Sequence, residues 1–470
     1  MSVRPIVSPS TRADPEVISA CPVSARVSVV LPLPLAPTIA VHRPVAMRQV
    51  APRRMVVRPR RTWRSSASTA CCMAALHFSE RRTGARSTDM KHSKHHEQRK
   101  TREKWLVELT GIPTASGREG RVARWIRGWA GRRSNVRLET DRFGNLHLAL
   151  DGARSRRPVV LVAHMDHPAF VLRASVGSRR WEAEFRGGVA SSYFRGSPIR
   201  VHRGGWSFDG SDRVSPGAGA KGRVLGPPED GVGVVELHDD ASAQKAAPGD
   251  VATWDVGAAR ITRGRLVAPA VDNLAGVAAA IAALDAIRRG RAGSRPDLRL
   301  LLTRCEEVGF VGAIAACKAS LVPRGARVIV LENSKCLPDA PVGDGPIVRV
   351  GDRTSTFDPG MTYALAQVAS GLEDEDGQSW QRKLMTGGSC EATAFSVFGY
   401  RTGCVCLPLL NYHNMDEQRG CIAAESVSVA DFHGMVRLLA EAAARIDEAG
   451  DSALRSRLNE IYKSRRNLLT

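Results

Sequence analysis

Three short apolar runs, each closed by an acid or a histidine, leave this chain few architectures. Pro158 to Ala163 (PVVLVA), Leu298 to Thr303 and Val328 to Leu331 show little or no polar alternation. A strand that reads as a continuous apolar run is buried on both faces, as in parallel or mixed sheets covered by helices. Helical patterns separate and follow the runs, at Asn273 to Arg289, Val308 to Ser320, Met361 to Leu372, Glu391 to Phe398 and Val427 to Glu448. This order predicts an α/β domain, a mixed sheet flanked by helices. Residues 171–265 break the pattern. They are Gly-rich, with short alternating segments such as Gly222 to Leu225, Gly233 to Leu237 and Val251 to Asp255. A small all-β inserted module is expected there, which leaves residues 101–170 and 266–470 for the α/β domain.

Ligands of open α/β sheets bind outside the carboxyl ends of the strands. Those ends carry the chemistry here. His164-Met165-Asp166-His167 follows the first run, Cys305-Glu306-Glu307 the second and Glu332 the third. Asp272 precedes the Ala-rich helix, and His413 follows an expected strand at Cys404 to Leu410. Each has an ordinary use when taken alone. Asp272-Asn273 reads as a helix N-cap, and Glu306-Glu307 as acids favoured by a helix N-terminus. Together they form a ligand set suited to two divalent first-row metals, zinc first. In an extended H-x-D segment both side chains point to one side. His164 then binds metal through one ring nitrogen while Asp166 orients the ring through the other. Adjacent Glu306 and Glu307 point apart, so one ligates and the other stays free to take a proton.

The motifs AHMDH, PAVDNLAGV, CEEVGFVGA, VLEN and NYHNMD occur in that order between about residues 104 and 450. Their order resembles the di-zinc aminopeptidase clan, most closely its tetrahedral and glutamyl (deblocking) aminopeptidase family. Residues 171–265 fall where that family inserts a β-module. The resemblance implies a di-zinc exopeptidase fold and a cytoplasmic aminopeptidase that removes N-terminal residues from peptides through a water activated by two metals, zinc, cobalt or manganese. It implies His164 as the first ligand with Asp166 behind it, Asp272 bridging both ions, Glu306 as general base, and Glu307 and His413 as ligands. Glu332 takes a ligand position where the family usually has Asp. Gly387-Gly388-Ser389-Cys390-Glu391 is similar to a Gly-Gly-Thr-Asp-Ala stretch lining the family's pocket, which makes Glu391 a substrate-binding candidate, displaced by one residue. Homo-oligomers through the inserted module are also implied. Competing readings are an amidohydrolase or carboxypeptidase on the same scaffold, and a non-catalytic scaffold.

Charge narrows the partners. Residues 1–100 hold 18 Lys and Arg against 5 Asp and Glu, which places +13 of the +21 net charge on one Pro-, Ser- and Arg-rich stretch. A nucleic-acid reader carries its basic residues on one folded face, so no nucleic acid is expected as partner. Three readings of residues 1–100 stay open: a disordered arm, a targeting segment, or an upstream extension of the reading frame. Order is expected from about Lys104, with a short helix at Trp105 to Leu109 and a capping box in which Ser116 caps a helix and Glu119 answers it. Ten cysteines contain no paired CxxC set, and Cys71-Cys72 are adjacent, which points to a reducing compartment. No apolar run reaches the roughly 18 residues of a spanning helix. The absence of G-x-S-x-G and GxxxxGK[ST] disfavours an α/β-hydrolase serine elbow and a P-loop NTPase.

Overall fold

The three apolar runs become neighbouring strands of one eight-stranded sheet. The computed structural model describes residues 81–470 except 153–154, 156, 216, 218, 291–294, 449–450 and 470, with backbone alone for 81–95 and 451–453. The readings made of residues 1–80, Cys71 and Cys72 included, lie outside the described residues. In chain order, α1 (Arg81–Thr110) and α2 (Gly120–Gly131) lead into β1 (Val136–Thr140), β2 (Leu146–Leu150) and β3 (Val159–His164). Then come β4 (Ala169–Ser175), β5 (Arg180–Arg186), β6 (Pro198–His202), β7 (Ala220–Val224), β8 (Val232–Leu237), α3 (Asp240–Lys245) and β9 (Val251–Trp254). The strands β10 (Arg260–Thr262) and β11 (Arg265–Ala268) precede α4 (Leu274–Arg288), β12 (Leu298–Thr303), α5 (Val311–Lys318), β13 (Arg327–Lys335), β14 (Ile347–Gly351) and α6 (Pro359–Asp376). The remainder is β15 (Gln381–Leu384), α7 (Glu391–Val397), β16 (Arg401–Leu409), β17 (Met415–Asp416), β18 (Cys421–Ile422), β19 (Glu425–Ser428), α8 (Val429–Arg445) and α9 (Asp451–Arg465).

The main sheet runs β1-β2-β12-β3-β13-β16-β14-β15. Its centre is parallel: β12, β13 and β16 all run with β3 or with one another. Their carboxyl ends therefore meet at one edge. His164 pairs with Thr303, and the Val162–Val330 pairing brings Glu332 level with His164. Because side chains alternate with period two, both face the side covered by α5 and α7. The opposite face packs on α4 and α8, whose Leu274, Val277, Ile281, Leu284, Phe432, Met435 and Leu439 are buried in the main cluster. Among the described residues no helix is long and apolar enough to cross a membrane.

The segment between β3 and β10 closes into a six-stranded barrel, β4-β5-β8-β7-β6-β9. Phe170, Phe185, Phe194 and Trp254 fill its interior with ring centroids 4.8–6.0 Å apart. Its limits differ from the expected 171–265. It spans Ala169–Trp254, whereas β10 pairs with β11, and β11 with β19 of the α/β body. The alternation of residues 260–268 marks strands but not the sheet they join.

Other elements also depart from expectation. α1 starts at Arg81, so it crosses the boundary expected at residue 100. Its first 20 residues are almost wholly polar and give no apolar stripe, while Trp105, Leu106 and Leu109 at its far end enter the core. α5 begins at Val311 rather than Val308, because Gly309 and Phe310 adopt φ of 108° and 60°. The acids Glu373 to Asp376, beyond the helix expected at Met361 to Leu372, complete α6, where Glu375 and Asp376 face Arg437. α8 ends at Arg445, and α9 follows as a separate helix.

The Trp105 and Trp129 rings meet edge to face at 5.7 Å, and Trp129 is fully buried. Trp129→Ala is expected to cost about 3–5 kcal/mol, as for other buried aromatic truncations. Equilibrium denaturation, or the fall in melting temperature where unfolding is irreversible, checks it.

Candidate metal centre

The parallel register of β3, β12 and β13 delivers His164, Glu306, Glu307 and Glu332 to one edge, and loops bring Asp272 and His413 to meet them. The turn after β12 is tight. Cys305 takes the left-handed φ of 55°, and the Glu306 carbonyl accepts from Gly309 and Phe310 N–H at 2.9 Å each. That turn fans the two adjacent glutamates apart. Asp272 enters from the loop before α4, through a cis peptide to Asn273.

Two triads follow. His164 Nε2 lies 3.7 Å from Asp272 Oδ1 and 3.8 Å from Glu332 Oε2. His413 Nε2 lies 3.7 Å from Asp272 Oδ2 and 3.5 Å from Glu307 Oε2. Asp272 thus offers one oxygen to each side. Within each group the ligand atoms lie within 4.8 Å of one another. Glu306 Oε2 stands 3.7 Å from His164 Nε2, and a third grouping joins His164, Glu306 and Glu307.

The imidazole tautomers follow from the other ring nitrogens. His164 Nδ1 faces the Asp166 carbonyl at 3.2 Å and Asp166 Oδ1 at 3.5 Å, both acceptors, so Nδ1 carries the proton. His413 Nδ1–H donates to Gly188 O at 2.5 Å. In the neutral rings each Nε2 then points a lone pair at carboxylate oxygens. Lone pair against carboxylate is repulsive unless a proton or a metal cation lies between them. The oxygens give the same indication. Asp272 Oδ1, Glu307 Oε1 and Glu332 Oε1 are buried without a hydrogen-bond partner, and such atoms are costly when left unpaired. Burial, and then the neighbouring acids, hold the Asp272, Glu306 and Glu307 carboxyls well above the usual carboxylate range. Burial also pushes His413 down to about 3, against the Gly188 hydrogen bond. For His164 burial works against protonation, but Glu306 and the Asp166 and Glu332 contacts outweigh it and raise its pKa. The donor set fits divalent cations.

Asp166 is the hub behind these groups. Its Oδ1 accepts from Glu306 N–H at 3.0 Å, and its Oδ2 accepts from Glu307 N–H at 3.1 Å and from Ser116 Oγ–H at 2.5 Å. The His164 ring first, and then the Ser116 and Glu306 bonds, keep its carboxyl low although burial alone would raise it. The capping-box reading of Ser116 is therefore corrected. α2 begins at Gly120 with Glu119 in the N-cap position and no side-chain cap. Ser116 serves Asp166, and Glu119 accepts from Gly117 N–H at 2.8 Å, Cys305 N–H at 3.1 Å and Arg304 Nε–H at 2.8 Å. A capping-box spacing was recruited to hold the Glu306 turn.

Glu391 does not join the others. It is fully buried at the start of α7 and absent from the cavity wall, so the structure corrects its reading as a substrate contact. Burial pushes its carboxyl up to about 8.

Sequence reasoning missed Glu425. It is fully buried in β19, and its carboxylate accepts from Val271 N–H at 2.7 Å, Asp272 N–H at 3.0 Å and His413 N–H at 2.9 Å. One side chain thus fixes the backbone of both Asp272 and His413. The only sequence signal was an acid opening the buried strand Glu425–Ser428. His167 was also passed over. Its ring bridges the Asp272 carbonyl and Asn414 Oδ1. Glu425→Ala is expected to weaken metal binding 10–100-fold, the range seen when supporting partners of ligands are removed, as read by metal titration.

The cavity over these residues has a volume of about 1210 Å³. Phe310, Tyr412 and Leu337 line it together with Lys335, Arg349 and Arg353. Tyr412 stacks on His413 at 3.8 Å, and Gly188 brings the barrel's own loop to the wall.

The family described as M42 glutamyl aminopeptidase matches residues 144–427, more than half of the chain. No curated protein matches. Among solved structures, an aminopeptidase from the archaeon Desulfurococcus kamchatkensis superposes with a TM-score of 0.60 at 20 % identity, covering 76 % of this chain and 98 % of that one. A TET aminopeptidase from a marine-sediment thaumarchaeote gives 0.60 at 16 % identity, over 73 % and 97 %. The TET1 peptidase of Pyrococcus horikoshii, described as assembling into a tetrahedron or a large octahedral shell, gives 0.58 at 19 %, over 73 % and 99 %. Identities this low speak for the fold.

Proposed function

Since the chain belongs to the M42 glutamyl aminopeptidase family and is accordingly a metal-dependent aminopeptidase, we propose that it holds two divalent ions, zinc first, and releases N-terminal residues from peptides. The observation that carries the two-ion reading is the pair of triads sharing Asp272, His164–Asp272–Glu332 and Glu307–Asp272–His413. When bound, the ions supply Lewis-acid polarisation of the scissile carbonyl and a nucleophilic water of lowered pKa. The chain's own residues do the rest. Asp166 holds the His164 ring through Nδ1 and anchors the Glu306 and Glu307 amides, so the cluster is oriented before substrate arrives. Glu306 takes the water proton on its carboxylate and returns it to the leaving amine. Its burial beside other acids raises its proton affinity toward that task. Glu391 has no contact role in this scheme.

The free amine of a substrate N-terminus suits the acid-rich end of the cavity. The reading further includes a homo-oligomer assembled through the barrel, by likeness to the TET1 shells. It also includes a cytoplasmic setting, supported by seven described cysteines that are all free thiols. The test is a screen of aminoacyl anilides beside their N-acylated analogues, with the protein reconstituted in zinc, cobalt or manganese. Turnover of free-amine substrates alone is expected. Preference for the acylated set moves the activity to a deacylase.

A further inference from the structure

A second cavity, of about 210 Å³, lies where α2 meets the barrel, and among the described residues no Asp or Glu lines it. Arg121 of α2, His202 and Arg203 at the end of β6, Ser215, and Ser242 and Lys245 of α3 form its wall. Arg121 is locked in place. Its guanidinium lies 4.2 Å over the Trp206 ring and donates to Gly204 O at 2.9 Å and Arg203 O at 2.8 Å. The acids nearest to it are spent on other groups. Asp250 accepts from Gly204 N–H, Trp206 Nε1–H and Ala247 N–H. Asp212 accepts from Trp206 N–H, Ser207 N–H and the Ser207 hydroxyl, and faces Arg124 at 3.6 Å. Among the described residues, no carboxylate lies within ion-pair distance of the side chains of Arg203 or Lys245.

A concave wall of one charge sign, with low-dielectric surroundings, concentrates counter-ions. Three cations with unspent N–H donors match an oxyanion that accepts several charge-assisted hydrogen bonds. The same field acts on His202. Burial, then Arg121 and Arg200, push its pKa down to about 3, so it enters the site as a neutral hydrogen-bonding ring beside Thr253 Oγ1 at 3.1 Å. We propose that this cavity binds a multiply charged phosphoryl-type oxyanion, held by Arg121 from the α/β body and by Arg203 and Lys245 from the barrel. Such a ligand clasps the barrel to α2. The chain just before α2 carries Glu119, which holds the Cys305 amide next to the Glu306 turn.

The test is calorimetric titration of pyrophosphate and inorganic phosphate into the full-length, metal-loaded protein, run in parallel on Arg203→Ala/Lys245→Ala. One equivalent per chain is expected to bind wild type, with affinity at least tenfold weaker in the double variant. Hydrolysis of an aminoacyl anilide in anion-free buffer should be unchanged, since neither residue lines the metal cavity. Arg203→Lys/Lys245→Arg should retain the site. A measurement without variants uses amine acylation read by mass spectrometry. Bound pyrophosphate should protect Lys245, while the solvent-exposed Lys104 stays reactive. Equal affinity in wild type and double variant, anion binding that only competes with substrate at the metal centre, or an unprotected Lys245 overturns the proposal.

Discussion

Glu306→Gln is expected to lower kcat by ~10²–10⁴-fold, the usual effect of losing a general base, with metal content unchanged. Glutamine keeps the shape and the hydrogen-bonding capacity but cannot accept the water proton. The Glu306 carboxylate faces His164 Nε2 at 3.7 Å from outside the two triads that share Asp272. Its backbone stays pinned to Asp166 whichever side chain is present. Glu307→Gln should differ, because Glu307 Oε2 faces His413 Nε2 at 3.5 Å within the second triad. That variant should lose metal, and excess zinc should recover part of its rate. Steady-state kinetics on an aminoacyl anilide, paired with metal analysis of the same samples, separates the two. Reversed behaviour exchanges the roles of the two glutamates. A third grouping places Glu306 and Glu307 together on His164, so metal loss in both variants identifies Glu306 as a ligand.

Asp272→Ala is expected to abolish activity and to release both ions on mild dialysis. One oxygen of Asp272 faces His164 and the other His413, so a single truncation removes a ligand from each triad. It also leaves carboxylates and imidazole lone pairs facing one another without a counter-charge, a costly arrangement for buried groups. Metal analysis after dialysis decides it. Retention of one ion at full occupancy shows that Asp272 serves one site only. The comparison with Glu425→Ala is informative, since Glu425 holds the Asp272 amide without facing either triad. That variant should bind both ions more weakly rather than lose them.

Periodicity and strand-end chemistry made much of this legible beforehand. Continuous apolar runs imply strands buried on both faces, and parallel pairing of such strands places the polar residues that end them at one edge. His164, Glu306, Glu307 and Glu332 were visible for that reason, and Asp272 and His413 because they stand where helix and strand begin or end. The family's motif order then tied them into one cluster. Some features had no such signal. Glu425 is one acid in a short strand, and its importance lies in amides contributed by Asp272 and His413, 153 and 12 residues away. Ser116 had the spacing of a cap, and only the approach of Asp166 at 2.5 Å redirected it. Glu391 had the right neighbourhood in sequence and the wrong direction in space. α1 extended through polar residues that carry no stripe, so its start could not be read from pattern. Local sequence determines which segments are strands or helices and which groups sit at their ends, because propensity and periodicity act over a few residues. The direction in which a buried acid points, and whose backbone it holds, depends on segments distant in the chain, and only the tertiary structure brings those together.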